Sequence, residues 1–421
     1  MVSSGFAFTR DDVAYLASAA ATAALSEVAA FALTPATLLR DIERLRRDHG
    51  EHTAALVETV RLRRRAVAKL DGARDWLFTD DALQQATPTA VARHRAQRLA
   101  GRTVHDVTCS IGAELAELAR VCPAVVGSDL DAVRLAIAAH NLGVRAVGAP
   151  VRRGFTATGE AFEPAGDEHR TAAAAGRNIV LAKADALVPC STAEVVIADP
   201  ARRADGRRTH DPAKLQPPLP DLLTAYAGRD LAVKCAPGLD FDKLAWAGEI
   251  EVASLDGSVR EACLWSPGLA APGVTRRATV LSSSRDPEVL TDADPDEIPE
   301  RAPGEWIVDP DGAIVRAGLV RHYAAKHGLW QLDPRIAYLT GDKVPDGVRG
   351  FRVLDRMDFR EKPLRAELHR RDCGPLEILT RGVDIDPDQL RARLKPKGSQ
   401  PHTLVITRIG KTATVFLCAT P

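Results

Sequence analysis

Four aspartates stand at the ends of four predicted β-strands, and this spacing indicates one shared site. In strand order they are Asp106, Asp129, Asp185 and Asp199. The carboxyl ends of successive strands line one crevice in an open α/β sheet. A carboxylate after the second strand can accept charge-assisted hydrogen bonds from both hydroxyls of a ribose, and one after the third can accept from an adenine amine. The pattern predicts a pocket for a nucleoside-bearing cofactor.

The turn after the first strand narrows the choice of cofactor. Val104–Gly112 reads V-H-D-V-T-C-S-I-G and leads into a predicted helix over residues 113–120. The small residues from Thr108 to Gly112 allow the backbone to pass close to a ligand. A nicotinamide-binding turn would read G-x-G-x-x-G, but only Gly112 stands at an expected position. A dinucleotide-dependent oxidoreductase is therefore the weaker alternative.

The segments that carry these aspartates alternate between predicted strands and helices from Arg102 onward. Beyond the first strand, strands are predicted over residues 124–129, 178–185, 194–200 and 230–237, with helices over 131–142 and 222–227. This alternation predicts an α/β fold with a doubly wound, mostly parallel, Rossmann-like sheet. Three more strand-like segments have no helices between them and are expected to form an antiparallel edge: 249–254, 261–266 and 277–282. A Gly- and Ala-rich insertion, 143–177, is expected to be a surface loop.

The flanking segments predict further domains. Cap signals such as Thr9, Thr34-Pro35 and Thr87-Pro88 precede helical spacing of apolar residues, so residues 1–88 are expected to form a helical domain. The sheet domain is predicted over 89–285. An acidic, Pro-rich linker with a connecting helix follows over 286–345. Residues 346–421 are expected to form a small α+β domain, in which Asp386-Pro387 starts a helix and Ile409-Gly410-Lys411 joins two strands.

Composition sets the environment in which the chain works. Its 421 residues are 45% hydrophobic and 27% charged, with a formal net charge of zero, as in soluble globular proteins. Seven scattered cysteines without C-x-x-C spacing argue against a disulfide framework or a zinc site and favour the cytoplasm. No membrane span and no signal peptide are predicted. Residues 286–311 are acidic and 349–411 are basic, so local basic faces are expected despite the neutral total.

The first two motifs resemble those of class I S-adenosylmethionine-dependent methyltransferases. The turn D-x-T-C-S-x-G (106–112) is closest to the D-x-x-C-G-x-G form of RNA methyltransferases, including the trimethylguanosine synthase and uridine-C5 groups. Ser110 stands where that form has Gly, which would strain the turn if the position needs a positive φ. Residues 127–136, G-S-D-L-D-A-V-R-L-A, resemble the second motif, and Asn141 matches the asparagine that ends it.

The later motifs depart from the family pattern in one place. Ala184-Asp185 resembles the third motif, and Asp199-Pro200-Ala201-Arg202 stands where the family has D/N-P-P followed by an aromatic residue or Arg. In amine methylases of that class the backbone of this motif holds the target amine and the aromatic ring stacks on the base. Ala201 and Arg202 replace the second proline and the aromatic residue. The nearby arginines either grip phosphates or form a solvated loop: Arg202, Arg203, Arg207 and Arg208.

Two further stretches extend the resemblance. Gln85–His94, Q-A-T-P-T-A-V-A-R-H, resembles the T-P-E-x-I-A-x-H helix that packs beside the cofactor in the trimethylguanosine synthase group. Residues 351–418 resemble the THUMP-like domain appended to a bacterial group of these methyltransferases, and THUMP domains bind RNA. The resemblance implies methyl transfer from S-adenosylmethionine to a base in RNA.

The resemblance also implies residue roles. The cofactor-binding set is Asp106, Thr108, Gly112, Asp129, Asp131 and Asp185. Within it, Asp129 would anchor the ribose, Asp185 the adenine and Asp106 the methionine amine. Asp199 and Pro200 would place the acceptor, and Arg202 and Arg203 would contact substrate. No metal is implied.

Cys235 has two interpretations. It lies in K-C-A-P-G (234–238), where uridine-C5 methyltransferases carry a nucleophilic cysteine in C-N-P. A thiolate there adds to the pyrimidine ring and activates it for methyl transfer. The favoured interpretation is a small buried residue, which cysteine commonly is. Cys109, His94 and His105 are also expected to be structural.

Two other functions stay open at this stage. The departures at Ser110, Ala201 and Arg202 are compatible with an RNA-binding or assembly protein that kept the fold without catalysis. The neutral net charge is compatible with a small-molecule methyltransferase, which would not share the steep salt dependence of RNA binding.

Overall fold

The chain divides into two units in the computed structural model, which describes residues 6–144, 146–147, 179–201, 203–204, 207–208, 211–244 and 246–420. The first unit comprises Met1–Glu249 with Arg260–Ala270, and the second comprises Ile250–Val259 with Ala271–Pro421. Most of the predicted insertion, 143–177, lies outside the described residues. The finer domain boundaries at residues 88, 285 and 345 stay predictions.

Helices form the N-terminal part of the first unit. They are α1 (Arg10–Leu16), α2 (Ala19–Ala29), α3 (Leu38–His49), α4 (Thr53–Ala66), α5 (Asp80–Gln85) and α6 (Thr89–Arg98). Thr9 caps α1 as predicted, because its hydroxyl accepts from Asp12 N at 3.1 Å and Asp12 Oδ2 accepts from Thr9 N at 2.8 Å. The helix expected at Thr34-Pro35 begins only at Leu38, since Thr37 N donates to Thr34 O at 2.9 Å and closes a turn first.

A mostly parallel sheet fills the rest of the first unit. This region contains β1 (Val104–Asp106), β2 (Val125–Asp129), β3 (Ala146–Val147), β4 (Ile179–Lys183), β5 (Val195–Ala198), β6 (Arg203–Ala204), β7 (Arg207–Arg208) and β8 (Asp230–Cys235). The next strand, β9 (Glu249–Leu255), belongs to the second unit except for Glu249, and most of β10 (Ser258–Trp265) belongs to the first. The helices here are α7 (Ala113–Val121), α8 (Ala132–Leu142) and α9 (Leu219–Ala225). The parallel order is β3-β4-β2-β1-β5-β8, and β10 pairs antiparallel with β8. The order reverses at β1, so a crevice opens beyond the carboxyl ends of β1 and its neighbours.

The strands that follow correct the predicted antiparallel edge. β10 runs antiparallel to β8 as expected, but β11 (Arg276–Leu281) pairs parallel with β9. Two parallel strands need a crossover connection, and the chain supplies it by running back through β10 before β11 starts. A strand that the sequence analysis missed, β12 (Glu288–Thr291), pairs antiparallel with β11 inside the segment predicted as a linker.

The second unit continues with a seven-stranded sheet. Its elements are β13 (Trp306–Val308), α10 (Gly312–Ala317), α11 (Val320–His327), β14 (Trp330–Gln331), β15 (Leu339–Gly341), β16 (Gly350–Asp358), α12 (Glu361–Arg370), β17 (Cys373–Arg381), α13 (Pro387–Leu394), β18 (Gln400–Ile409) and β19 (Thr412–Ala419). The order is β14-β15-β13-β16-β19-β18-β17. Asp386 caps α13, and β18 and β19 form the predicted hairpin around Gly410. Leu364 and Leu390 of α12 and α13 join a core cluster with Leu404.

No helix within the described ranges has both the length and the apolar character needed to cross a bilayer. The same residues contain no group of three or more His, Cys, Asp and Glu side chains arranged to hold a metal ion.

Candidate functional site

A cleft of about 590 Å³ opens at the carboxyl ends of the first unit's central strands. All four strand-end acids line it, and so do Thr108 and Asp131. Gln85–Thr87, from the stretch before α6, line it too. The topology therefore brings together residues that are more than a hundred positions apart in the chain.

The turn between β1 and α7 forms one wall of this cleft. Ser110 has φ 49° and Gly112 has φ 83°, so two residues in three adopt the left-handed region. The serine conformation costs about 1 kcal/mol. It is held in place because Ser110 N donates to Asp129 Oδ2 at 3.0 Å and Cys109 N donates to Ser128 O at 3.0 Å. The strain expected at Ser110 is therefore present, and the end of β2 compensates for it.

Asp129 presents its carboxylate at the end of β2. Its Oδ2 accepts from Ser110 N, and its Oδ1 accepts from Asp131 N at 2.8 Å. Each carboxylate oxygen can accept a second hydrogen bond, so the group can hold two neighbouring hydroxyls. Asp131 caps α8 by accepting from Val133 N at 2.8 Å and from Arg134 N at 3.2 Å.

The other two acids on this side differ in burial. Asp185 Oδ1 accepts from Leu187 N at 2.9 Å, and the residue is exposed. Asp106 is 3% exposed and accepts from Thr108 N at 3.0 Å. Burial raises the pKa of Asp106 to about 7, and the Thr108 amide opposes the shift. Asp106 can therefore gain or lose a proton near neutral pH.

Asp199 lies in the opposite wall of the cleft, where hydrogen bonds hold it. Its amide donates to Thr108 Oγ1 at 2.7 Å, which links the fourth motif to the first. Its Oδ2 accepts from Lys234 Nζ at 2.6 Å. Lys234 is 7% exposed, and its pKa is raised because Asp199, Glu261 and Glu114 together outweigh the lowering caused by burial.

A buried ion network supports that lysine, and the sequence analysis missed it. Lys234 Nζ lies 4.0 Å from Glu114 Oε2. Arg95 Nε donates to Glu114 Oε1 at 2.8 Å, and Arg95 also pairs with Glu261. Thr87 Oγ1 donates to Glu261 Oε2 at 3.1 Å. One signal was available, because a lone lysine inside the apolar strand D-L-A-V-K-C requires a buried partner.

Several predicted site residues lie away from the cleft lining or outside what is described. Pro200 is buried, and Gly112 caps α7 in the left-handed conformation. Cys235 is 3% exposed and does not line the cleft, because side chains alternate along β8 and Lys234 takes the cleft-facing side. Arg203 lies in β6, and Arg202 lies outside the described residues.

His105 is structural, in agreement with the sequence analysis. Its Nε2 contacts Ser128 Oγ at 2.9 Å and its Nδ1 contacts Ser191 Oγ at 2.8 Å. Burial and then Arg229 lower its pKa to about 4. Cys109, 4% exposed, packs in the core cluster with Leu115 and Leu181.

Comparison with known proteins decides the family. An uncharacterized S-adenosylmethionine-dependent methyltransferase of Mycobacterium tuberculosis, strain CDC 1551, is 52% identical over 375 residues, which cover 87% of this chain and 96% of that protein. The corresponding protein of strain H37Rv gives the same figures. The chain belongs to the S-adenosylmethionine-dependent methyltransferases.

Other comparisons support the architecture of this methyltransferase. The THUMP domain-like family matches residues 348–420, and a family described as a domain of unknown function matches 9–66. The crystal structure of a candidate methyltransferase from Porphyromonas gingivalis W83 covers 88% of this chain and 91% of its own, with a TM-score of 0.66 at 17% identity. At that identity the likeness establishes the fold alone. The predicted α/β methyltransferase fold with a C-terminal THUMP-like domain is confirmed.

S-adenosylmethionine is the cofactor of this methyltransferase, as the sequence analysis predicted. The cleft fits it on structural grounds. Its volume lies within the range of ligand pockets, roughly 300–1,000 Å³. It combines a paired carboxylate acceptor at Asp129 with apolar walls from Leu130 and Ile111 and a small-residue turn. These are the features that a molecule with a ribose, a flat base and a cationic tail requires.

Proposed function

We propose that this methyltransferase modifies a base in RNA. The observation that carries the proposal is the match to the THUMP domain-like family over residues 348–420, in a chain whose first unit holds a cleft suited to S-adenosylmethionine. The likeness to the trimethylguanosine synthase group gains support from Gln85–Thr87, which line the cleft. The absence of disulfides among the seven cysteines is compatible with a cytoplasmic site of action.

The cofactor end of the cleft follows from the chemistry of its acids. Asp129 accepts from the two ribose hydroxyls through the free sites of its carboxylate, and Asp131 fixes that carboxylate through its amide. Asp185 accepts from the adenine amine. Asp106 faces the methionine amine, and Thr108 and Gly112 shape the turn.

The acceptor end follows from the position of Asp199. Its carboxylate is 35% exposed and faces the cleft, and Pro200 stiffens the backbone beside it. Ala201 and Gln216 exchange backbone hydrogen bonds of 2.8 and 3.1 Å across this end, so the backbone after Asp199 is held in place. Arg202 and Arg203 follow directly and contact phosphates of the bound RNA in this proposal.

Methyl transfer requires little covalent chemistry from the protein. When bound, S-adenosylmethionine supplies a methyl group that is already activated by its positive sulfur. The chain's residues hold the two reactants in line, which is the main contribution available to them.

The alternative of a uridine-C5 reaction receives no support from the geometry. It needs a thiolate that can reach the face of a pyrimidine ring. Cys235 is buried on the side of β8 turned away from the cleft lining. A nitrogen acceptor near Asp199 needs no such residue.

An in vitro transfer assay tests the proposal. Purified protein is incubated with methyl-tritiated S-adenosylmethionine and total RNA from a strain lacking the gene. We expect tritium in the RNA fraction, its release by ribonuclease, and its loss with Asp199→Ala. Asp221→Ala, an exposed aspartate on α9, is the matched control. Cofactor binding without any transfer would instead indicate a non-catalytic RNA-binding protein.

A further inference from the structure

Lys234 occupies an unusual place for a charged side chain. It lies in β8 among residues that are nearly all buried, and 7% of it is exposed. Burying an ammonium group costs several kcal/mol unless partners compensate for the lost water. Lys234 lines the cleft and donates a hydrogen bond to Oδ2 of Asp199, which lines it too.

Lys234 belongs to a buried network of ion pairs. Two cations, Lys234 and Arg95, meet three acids, Glu114, Glu261 and Asp199. Burial lowers the pKa of Lys234, but Asp199, Glu261 and Glu114 outweigh that effect and raise the pKa, so the lysine keeps its proton. Asp199, Lys234 and Glu114 line the cleft, while Arg95 at the far end of the network is 2% exposed.

A purely structural role does not explain this arrangement. Buried ion pairs contribute little net stability compared with apolar residues of similar volume. The network does achieve a fixed orientation of one carboxylate. Asp199 Oδ2 is occupied by Lys234, and Oδ1 has no hydrogen-bond partner among the described residues.

We propose that Lys234 is a positioning residue for methyl transfer, which holds Asp199 as a hydrogen-bond acceptor for an N–H of the substrate. The inference rests on the proposed function and narrows it, because a carboxylate fixed in this way selects an acceptor nitrogen that still carries hydrogen. An exocyclic amine of a base fulfils that condition. A ring nitrogen without hydrogen and a ring carbon do not.

The chemistry balances without a protein base. The acceptor nitrogen bonds to the methyl carbon as the carbon–sulfur bond breaks and its electron pair returns to sulfur. The nitrogen gains positive charge, which the Asp199 carboxylate stabilises through the N–H bond. The nitrogen then loses one proton to water. Asp199, hydrogen-bonded to a protonated lysine, aligns the lone pair and does not need to take up that proton.

A double-mutant cycle on methyl transfer tests the inference. Lys234→Met and Asp199→Ala are each expected to lower kcat about a hundredfold, as misplaced reacting groups do. Combined, they are expected to lower it no further than either alone, because Lys234 acts through Asp199. KM for S-adenosylmethionine is expected to stay near the wild-type value in all three variants. Lys234→Arg, which keeps the charge, is expected to restore part of the activity.

A matched control and the outcomes complete the test. Lys243→Met removes an exposed lysine paired with Asp240 at 2.9 Å and is expected to leave kcat unchanged. Circular dichroism checks folding. If Lys234→Met does not fold, kcat of Lys234→Arg is used in its place. If the wild type is active and the kcat losses of the two single variants multiply in the double variant, the role of Lys234 is overturned. The proposed function is not affected by that result. No transfer to RNA by the wild type would overturn the proposed function and this inference together.

Discussion

The backbone amide of Ser110 donates a 3.0 Å hydrogen bond to Oδ2 of Asp129. This contact joins the strained turn after β1 to the end of β2. The strain at Ser110 is thereby coupled to the carboxylate that faces the ribose in the proposed complex. Cofactor binding and turn geometry should therefore respond together when Asp129 is changed.

Asp129→Ala is expected to weaken S-adenosylmethionine binding by about a hundredfold or more, because two charge-assisted hydrogen bonds are lost. Isothermal titration measures the effect. Asp221→Ala, an exposed aspartate of the same unit, should bind as the wild type does. Equal affinities of Asp129→Ala and the wild type would refute the placement of the ribose.

Asn141 joins the helical segment to the same turn. Its Oδ1 accepts from Leu77 N at 2.8 Å, and its Nδ2 donates to Leu77 O and Ile111 O at 3.0 Å. Asn141→Ala leaves three backbone groups without this partner and is expected to lower the free energy of unfolding by about 2 kcal/mol. Asn141→Asp keeps the acceptor but loses both donors. Urea denaturation of the two variants measures the cost, and unchanged midpoints would contradict this account of the contact.

The raised pKa of Asp106 predicts that the stability of the protein depends on pH. Its pKa is about 7 when folded, against an ordinary value of 3.8. Between these values the folded state holds a proton that the unfolded state has lost, so the free energy of unfolding falls as pH rises from about 4 to 7. Asp106→Asn stays neutral throughout. Its stability relative to the wild type should improve by about 2 kcal/mol between pH 5 and 8, measured by urea denaturation, and parallel pH profiles would exclude a raised pKa.

The lowered pKa of His105 predicts the opposite trend for the free energy of unfolding, at lower pH. Its folded pKa is about 4, below the ordinary 6.5, so the unfolded state takes up a proton first as the solution is acidified. This contribution to stability is complete above pH 6.5 and is lost as pH falls toward 4. Nuclear magnetic resonance of labelled histidine should find the His105 ring neutral at pH 5. A titration midpoint near 6.5 would show that the ring is not buried as described.

Local signals made much of the fold predictable. Thr9, Asp131 and Asp386 cap helices through amides two or three residues away, so a short window of sequence contains both partners. The strand-end acids were predictable for a related reason, since parallel strands end at one edge of the sheet.

Contacts between distant residues were not predictable in the same way. Arg95 and Glu261 pair across 166 positions, and Thr87 and Glu261 across 174. No local sequence pattern indicates such a partner, because the pairing depends on how α6 packs beside β10. The parallel pairing of β11 with β9 was missed for the same reason, since strand composition carries no direction.

The most direct test of the account is the nucleoside composition of cellular RNA, measured by mass spectrometry in a strain lacking the gene. Complementation uses the wild type, Asp199→Ala and Asp221→Ala. We predict that one N-methylated nucleoside disappears with the gene and returns with the wild type and Asp221→Ala but not with Asp199→Ala. Identical nucleoside profiles in all strains would contradict the claim that this cleft methylates RNA.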